Sequence, residues 1–413
     1  MSDHLPAAER LIEYLAASPS PYHAVATAAA RLDGAGFARL DERAAWEPTS
    51  AGYVARGGTL VAWRRHPDAP AEQPMRIVGA HTDSPNLRIK PRPDTGAAGW
   101  RQIGVEVYGG ALLNSWLDRD LGLSGRVVLR GGEVRLLAVD RPLARVPQLA
   151  IHLDRDVNDK GLVLDRQRHL VPVWGLGPTE AGGFASFVAA ELGVATGDIV
   201  TWDLMLHDLT PPALLGRDRE LLASARLDNL CSCATALDAL TTVEASAATA
   251  VLCLFDHEEV GSNSGTGAAG PMLEAVLERL VHASGGDRTH LRRALAGSVC
   301  VSADMAHSAH PNYLDRHEPE HQPVPNGGPV LKVNASQRYA TDAITAAAFV
   351  DACDRSGVPW QVFVSRNNMP CGSTIGPITA TRLGVATVDV GVPQLSMHSA
   401  RELCGVSDPP ALA

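Results

Sequence analysis

Apolar residues recur at helical spacing near the start of the chain. Over residues 6–17 they fall on one face of a predicted helix, at Ala8, Leu11, Ile12 and Leu15. A Ser-Pro-Ser-Pro segment follows and ends that helix, because proline donates no backbone hydrogen bond. Within this segment, Ser20 is suited to cap a second helix whose first position is proline. We expect that helix to run from about Tyr22 to the glycines Gly34 and Gly36.

Further along the chain, short apolar runs end abruptly at polar residues. These runs are Thr59–Trp63, Met75–Ala80, Val251–Phe255, Val299–Ala303, Gln361–Ser365 and Val385–Val390. Stretches with helical character lie between some of them, at residues 228–246, 271–283 and 338–356. Apolar strands that alternate with helices predict an α/β domain with a mixed, mostly parallel central sheet.

Residues 90–220 have a different pattern, with short β-like runs separated by Gly-Gly turns. The runs are Ile103–Tyr108, Gly125–Leu129 and Val134–Ala138. This segment predicts a β-rich domain inserted into the α/β domain, which would then consist of residues 1–89 and 221–413. The length of 413 residues agrees with two domains, because single hydrophobic cores seldom extend beyond about 250–300 residues.

Composition excludes several classes of protein. The formal net charge of −10 and the absence of Lys/Arg runs argue against a nucleic-acid partner. The N-terminus lacks a basic segment followed by an apolar one, and no apolar run is long enough to predict a membrane span. The seven cysteines contain no C-x-x-C pair and suit buried thiols of a reducing compartment. We therefore expect a cytoplasmic protein.

Candidate chemistry lies where the apolar runs end. Such residues are His81, Asp83, Glu258, Glu259 and Asp304. In open α/β sheets, ligands bind at the carboxyl ends of the strands, so these side chains should converge although they are far apart in sequence. Histidines and carboxylates together suit divalent ions such as zinc, with manganese or cobalt as other options.

Each of these signals has an ordinary structural explanation when taken alone. A His-x-Asp sequence is often a surface loop, and tandem glutamates are often a solvated turn. Asp228 could simply cap the helix that follows it. His398 could be a solvated loop residue. Only the joint occurrence of these residues at strand ends favours a metal site.

Several longer motifs make the chain recognisable. They are HTDSP (81–85), SARLDN (224–229), DHEEVGS (256–262), SADMAHSAHPNY (302–313), K-x-N-x-x-QRYAT (332–341), PCGSTIGP (370–377) and SMHSARE (396–402). In this order they resemble the M18 family of metalloaminopeptidases, which includes aspartyl aminopeptidase. The resemblance extends from about residue 9 to residue 405. One small departure is His257, which stands before the tandem glutamates where the family motif has asparagine in other members.

The resemblance implies a fold and a set of metal ligands. The fold is a zinc-peptidase α/β domain interrupted by a β-rich dimerisation domain. Asp228 would bridge two zinc ions, with His81 and Asp304 completing one site and Glu259 and His398 the other. The tandem glutamates would then divide their roles, with Glu258 as the general base and its neighbour as a ligand. Asp83 would stand behind the ligand His81.

The resemblance also implies substrate contacts and an assembly. Lys332 and the loop Gly372, Ser373 and Thr374 would contact the substrate, and His152 would enter the active site of a neighbouring subunit. Family members assemble as tetrahedral homododecamers. The implied reaction is removal of the N-terminal residue from peptides by zinc-activated water, with a preference for Asp or Glu. Alternatives are an aminopeptidase of neutral or broad specificity, a deacylase or carboxypeptidase on the same scaffold, and an inactive binding protein.

Overall fold

The computed structural model describes residues 5–413, which divide into two compact units. The first unit contains the chain up to Asp83 together with Pro212–Met397 and Glu402–Ala413. The second contains Ser84–Pro211 and His398–Arg401. The divisions after Asp83 and Pro211 lie a few residues before the domain boundaries predicted at residues 89 and 220.

Ten α-helices lie within residues 5–413. They are α1 (Leu5–Ala16), α2 (Pro21–Gly34), α3 (Val157–Lys160), α4 (Gly183–Leu192), α5 (Leu227–Thr242), α6 (Met272–Ala283), α7 (Arg288–Ala296), α8 (Ala343–Ser356), α9 (Ile375–Leu383) and α10 (Asp408–Leu412). No helix among these residues is long and apolar enough to cross a bilayer.

Local sequence signals set the starts of two helices, one as predicted and one later than predicted. The Ser20 side chain accepts a hydrogen bond from the His23 amide at the start of α2, whose first residue is Pro21. Helix α8 begins later than the predicted residue 338. Asp342 determines this start, because its side chain accepts from the amides of Ile344 and Thr345 and so caps the helix.

The strands are numbered in chain order. They are β1 (Ala38–Arg39), β2 (Ala51–Arg56), β3 (Thr59–Arg64), β4 (Met75–His81), β5 (Asn86–Ala97), β6 (Trp100–Tyr108), β7 (Leu121–Leu129), β8 (Val134–Ala144), β9 (Val173–Leu176), β10 (Ile199–Asp208), β11 (Ala213–Leu215), β12 (Leu221–Ser224), β13 (Thr249–Phe255), β14 (Val299–Ala303), β15 (Ala306–His307), β16 (Val330–Val333), β17 (Gln361–Val364), β18 (Ala386–Gly391), β19 (Pro393–Leu395) and β20 (Glu402–Gly405).

The first unit is built on a nine-stranded mixed sheet. Its strand order is β1-β2-β3-β13-β4-β14-β18-β16-β17. The four central neighbours β13, β4, β14 and β18 are mutually parallel, whereas β3 and β16 pair antiparallel with them at either side. The carboxyl ends of the four parallel strands therefore lie at one edge, which is the arrangement that a strand-end site requires.

Apolar side chains cover both faces of this sheet. One buried cluster joins strand residues such as Leu252 and Leu254 to helices α1, α2 and α5. The other joins Ile77, Val251 and Cys253 to helices α6, α7 and α9. Because both faces are covered by helices, the central strands are apolar in nearly every position, as buried parallel strands are. A five-stranded sheet of order β11-β12-β20-β19-β15 completes this unit.

The second unit is a six-stranded antiparallel sheet. Its order is β8-β7-β10-β5-β6-β9. The three β-like runs predicted in this part of the chain lie in β6, β7 and β8. Helix α4 was not predicted, and it contributes Phe184 and Val188 to the buried core of the unit.

Candidate active site

The central strands of the first unit bring three metal-capable side chains together. His81 is the last residue of β4, and Asp304 directly follows β14. Asp228 lies at the start of α5. All three are buried, and each offers one ligand atom within 4.8 Å of those of the other two. The predicted convergence at the strand ends is therefore present for His81 and Asp304, and Asp228 joins them from the start of α5.

Asp228 lies at a kink near the start of α5, whose N-cap residue is Arg226. The Asp228 backbone is non-helical, and its peptide bond to Asn229 is cis. The Asp228 amide donates to Glu402 Oε2 over 3.0 Å, and Asn229 Nδ2 donates to the Ala303 carbonyl over 2.8 Å. These two bonds fix the turn, so that the Asp228 carboxylate lies beside His81, with 3.3 Å between Oδ1 and Nε2.

The hydrogen bonds of His81 prepare its ring for metal binding. Nδ1 lies 2.9 Å from the Asp83 carbonyl oxygen, which can only accept, so this nitrogen carries the proton. The other ring nitrogen, Nε2, faces Asp228 and Glu258, 3.3 and 3.9 Å away, and would offer its lone pair to a metal ion. Burial lowers the pKa of His81, but Asp228, Asp83 and Glu258 together raise it well above its usual value. The three carboxylates therefore strongly favour a positive charge on or beside the His81 ring.

The donor set fits zinc. An imidazole nitrogen and carboxylate oxygens are typical zinc ligands, and a ligating histidine normally donates its other N–H to a carbonyl or carboxylate. Burial raises the pKa of Asp304, and Asp228 adds to this shift while Lys332 opposes it. A divalent cation among these side chains would favour their charged forms.

The tandem glutamates begin a short 3₁₀ turn, Glu258–Val260, just beyond β13. The two oxygens of the Asp83 carboxylate accept one amide each, from Glu258 and from Glu259, both over 3.1 Å. Asp83 is fully buried. The sequence predicted that Asp83 stands behind His81. It did not reveal that the same carboxylate holds the backbone of both glutamates.

Glu258 has the environment of a proton-transfer group. Its side chain is 16% exposed, and Oε2 lies 3.9 Å from His81 Nε2. Burial raises the pKa of Glu258 to about 8; His81 opposes the shift, and the carboxylates Asp304, Asp228 and Asp83 reinforce it. A pKa near the working pH suits a residue that must take up a proton and release it again.

His257 has a structural role in this turn. Its φ of 65° is left-handed, a region in which asparagine and histidine are enriched among residues other than glycine. The His257 amide donates to Asp256 Oδ1, and Nδ1 lies 2.8 Å from Ser264 Oγ. The backbone geometry explains why either histidine or asparagine serves before the two glutamates.

Lys332 is directed towards Asp304. Lys332 is 2% exposed. Its ammonium group donates to the carbonyls of Asp304 and Met305, over 2.8 and 3.1 Å. It also lies 3.8 Å from Asp304 Oδ1. Lys332 thus supports a candidate metal ligand, and its contact with substrate stays a prediction.

The remaining predicted site residues lie in three places. Gly372 and Ser373 are exposed, whereas the buried Thr374 caps α9 and donates to Asp389. His152 is exposed in the second unit. His398 belongs to the same unit, where its Nδ1 lies 3.1 Å from the Gly110 carbonyl oxygen.

Replacing Asp83 by asparagine is expected to lower kcat by about 10–100-fold, the usual cost of altering a group behind a metal ligand. The variant keeps the carbonyl that holds His81 Nδ1 but removes the negative charge 3.5 Å from this nitrogen. The amide nitrogen of asparagine cannot accept, so one of the two glutamate amides loses its partner. Zinc content should fall less than activity. Steady-state kinetics with metal analysis check this, and a variant with wild-type kcat would contradict the role given to Asp83.

Comparison with known proteins places this geometry in a family. The family model for the aminopeptidase I zinc metalloproteases (M18) matches residues 14–411. A probable M18 family aminopeptidase 2 of Streptomyces coelicolor is 60% identical over 409 residues, which cover 98% of this chain and 95% of that relative. The chain belongs to the M18 family. The family assignment made from the sequence motifs is thereby confirmed.

Solved structures of other proteins share the fold. The cryo-EM structure of the Ape4 and Nbr1 complex has a TM-score of 0.95 at 36% identity, covering 99% of this chain and 84% of that chain. The mApe1 dodecamer of S. cerevisiae has a TM-score of 0.84 at 30% identity, and the match covers 98% of this chain and 94% of that chain. The mixed α/β fold predicted from the sequence is confirmed. The protein is an M18 metalloaminopeptidase, a hydrolase of a zinc-dependent family.

Proposed function

We propose that this M18 aminopeptidase removes N-terminal residues from peptides with two zinc ions per subunit and Glu258 as the general base. The observation that carries the proposal is the buried cluster of His81, Asp228 and Asp304 with Glu258 beside it. A nitrogen ligand, two carboxylates and an adjacent carboxyl group with a raised pKa are the parts that such a hydrolysis needs.

We assign the ligands as the family motifs imply. His81 and Asp304 would hold one ion, and Glu259 and His398 would hold the other. Asp228 would hold both ions. The Asp83 carboxylate holds the backbones of Glu258 and Glu259 alike, so the division of roles between the two glutamates rests on the motif. Glu259 also has a ligand atom within 4.8 Å of those of His81 and Glu258. The assignment of His398 rests on its motif.

Bound zinc would supply a Lewis acid that polarises the scissile carbonyl and makes water easier to deprotonate. Glu258 takes the proton from the attacking water and passes it to the leaving amine. The Asp83 carboxylate accepts a hydrogen bond from the backbone amide of Glu258 and so keeps Glu258 in place. Lys332 holds the backbone of Asp304 and so fixes the orientation of that ligand.

We also propose a cytoplasmic homododecamer whose dimers form through the second unit. A yeast relative is a dodecamer. The chain segment around His152 exposes apolar side chains, namely Leu149, Leu153 and Val163, and their burial would favour association. His152 of one subunit would then reach the active site of its neighbour. All seven cysteines, which lie within residues 5–413, are free thiols, as in a reducing compartment.

The preference for acidic N-terminal residues is tested with four p-nitroanilides, those of Asp, Glu, Leu and Lys. We expect the highest kcat/KM for Asp or Glu, because a cationic side chain such as Lys332 would attract the acidic side chain of the substrate. Zinc analysis of the same preparation should give two ions per subunit. Faster cleavage of the Leu or Lys substrate would replace the acidic preference by a neutral or broad one.

A further inference from the structure

Asp389 is a fully buried carboxylate outside the metal cluster. It lies on β18 and is 0% exposed. Its register partner on the neighbouring strand is Ser302, two positions before the candidate ligand Asp304. Burying a carboxylate costs free energy unless hydrogen bonds or charges compensate, so its partners indicate what the charge is used for.

The partners of Asp389 come from two separate loops. Oδ1 accepts the Thr374 hydroxyl over 2.5 Å, and Oδ2 accepts the Ala340 amide over 2.6 Å. The Asp389 amide in turn donates to Thr341 Oγ1 over 2.9 Å. One buried carboxylate therefore joins the segment before α8 to the segment before α9.

The start of α9 is shaped to receive this charge. Thr374 caps the helix by accepting the Gly376 amide, while its own hydroxyl proton goes to Asp389. A side-chain carbon at Gly376 would clash with the Asp389 carboxylate, so glycine is required for this close approach. The N-terminus of a helix also favours a nearby negative charge.

Both loops lead to the candidate active site. Ala340 follows Tyr339, whose ring centre lies 5.1 Å from the ammonium nitrogen of Lys332. Lys332 donates to the carbonyl of Asp304, so the chain of contacts ends at a candidate zinc ligand. Cys371, at the start of the other loop, packs against the buried cluster that contains Tyr339.

We propose that Asp389 is a positioning residue that holds the Tyr339 segment and the Cys371–Thr374 loop against the Asp304 side of the site, and thereby sets the affinity for substrate. This inference rests on the proposed function, in which Gly372, Ser373 and Thr374 contact the substrate. Asp389 acts through these loops and does not touch the reacting atoms. Loosening them should weaken substrate binding more than it slows the chemical step.

Asp408 offers a matched comparison for this role. It is also 0% exposed, and it accepts two backbone amides, from Asn326 over 2.6 Å and from Gly328 over 2.9 Å. Asp389 and Asp408 are thus equally buried and both accept two hydrogen bonds. Asp408 tethers the Asn326 turn to α10, and these contacts involve none of the candidate site residues. If the loss of any buried carboxylate raised KM, both variants would show the rise. If Asp389 positions the substrate loops, only its variant should show it.

The experiment measures kcat, KM, zinc content and Tm for Asp389→Asn, Thr341→Val, Thr341→Ser and Asp408→Asn. Thr341 is buried, accepts the Asp389 amide and is not among the proposed substrate contacts. We expect Asp389→Asn to raise KM about tenfold or more, the effect of losing one hydrogen bond to a charged group, and Thr341→Val to raise it about fivefold, the effect of losing a neutral one, with kcat and zinc content nearly unchanged. Thr341→Ser keeps the hydroxyl and should keep the wild-type KM. Asp408→Asn should lower Tm without changing KM.

An unchanged KM in Thr341→Val would overturn the proposal, as would an equal rise of KM in Asp408→Asn. If Asp389→Asn does not fold, the contrast between valine and serine at position 341 decides the result. The substrate is whichever p-nitroanilide the wild type cleaves fastest. An error in the proposed acidic preference therefore shows in the substrate ranking of the wild type, and an error about Asp389 shows in the KM of the variants.

Discussion

Glu258→Gln is expected to lower kcat by about 10²–10⁴-fold, the usual contribution of a general acid–base group, while zinc content stays at the wild-type level. Glutamine has nearly the same shape, and the bond from the residue 258 amide to Asp83 does not involve the side chain. The turn should therefore remain in place. Only the capacity to take and return a proton is lost.

The neighbouring residue provides the sharpest control. Glu259→Gln should lose zinc as well as activity, since we assign Glu259 as a ligand. Glu278→Gln, an exposed position on α6, should behave like the wild type. If Glu258→Gln lost zinc and Glu259→Gln kept it, the two roles would have to be exchanged. Metal analysis and single-substrate kinetics on the same preparations distinguish these results.

Asp228→Asn should abolish stable zinc binding and lower kcat/KM by more than about 100-fold, beyond the loss seen when only a supporting partner of a ligand is removed. The carboxylate is buried beside His81 and is proposed to bridge both ions. A neutral amide removes one negative charge from the cluster and cannot bridge two cations as a carboxylate does.

Asp238→Asn tests whether this effect is specific. Asp238 lies on the same helix, α5, but forms ion pairs with Arg10 and Arg31 at the surface. Partly exposed ion pairs contribute little to stability, so this variant should keep both zinc and activity. An Asp228→Asn enzyme that retained two zinc ions and wild-type kcat/KM would remove Asp228 from the metal site.

The sequence predicted those parts of the site that follow from local pattern. His81, Asp304 and the tandem glutamates each follow a short apolar run, and parallel pairing of β13, β4 and β14 then places the strand ends together. The resemblance to the M18 motifs added Asp228 and separated the glutamates into a base and a ligand. Spacing alone could not do so, because both follow the same strand.

The remaining features depend on contacts between segments that are distant in the chain. Nothing near Asp83 indicates that its carboxylate accepts the amides of residues 258 and 259. Likewise, Asp389 looks like an isolated polar residue in an apolar strand until Thr374 and Ala340 are seen around it. The short strand β16 was not predicted, because Val330–Val333 includes the buried Lys332 and so lacks a clear apolar pattern.

The cluster of His81, Asp228 and Asp304 draws its members from segments that lie far apart in the sequence. No short peptide from this chain contains the site, so an unfolded chain has nothing with comparable affinity for the ion. We therefore expect the ion to bind only where these segments have come together. A bound ion would act as a cross-link between three distant parts of the polypeptide and would stabilise the folded state. For this enzyme, metal supply would then influence how long the folded molecule survives as well as how fast it works.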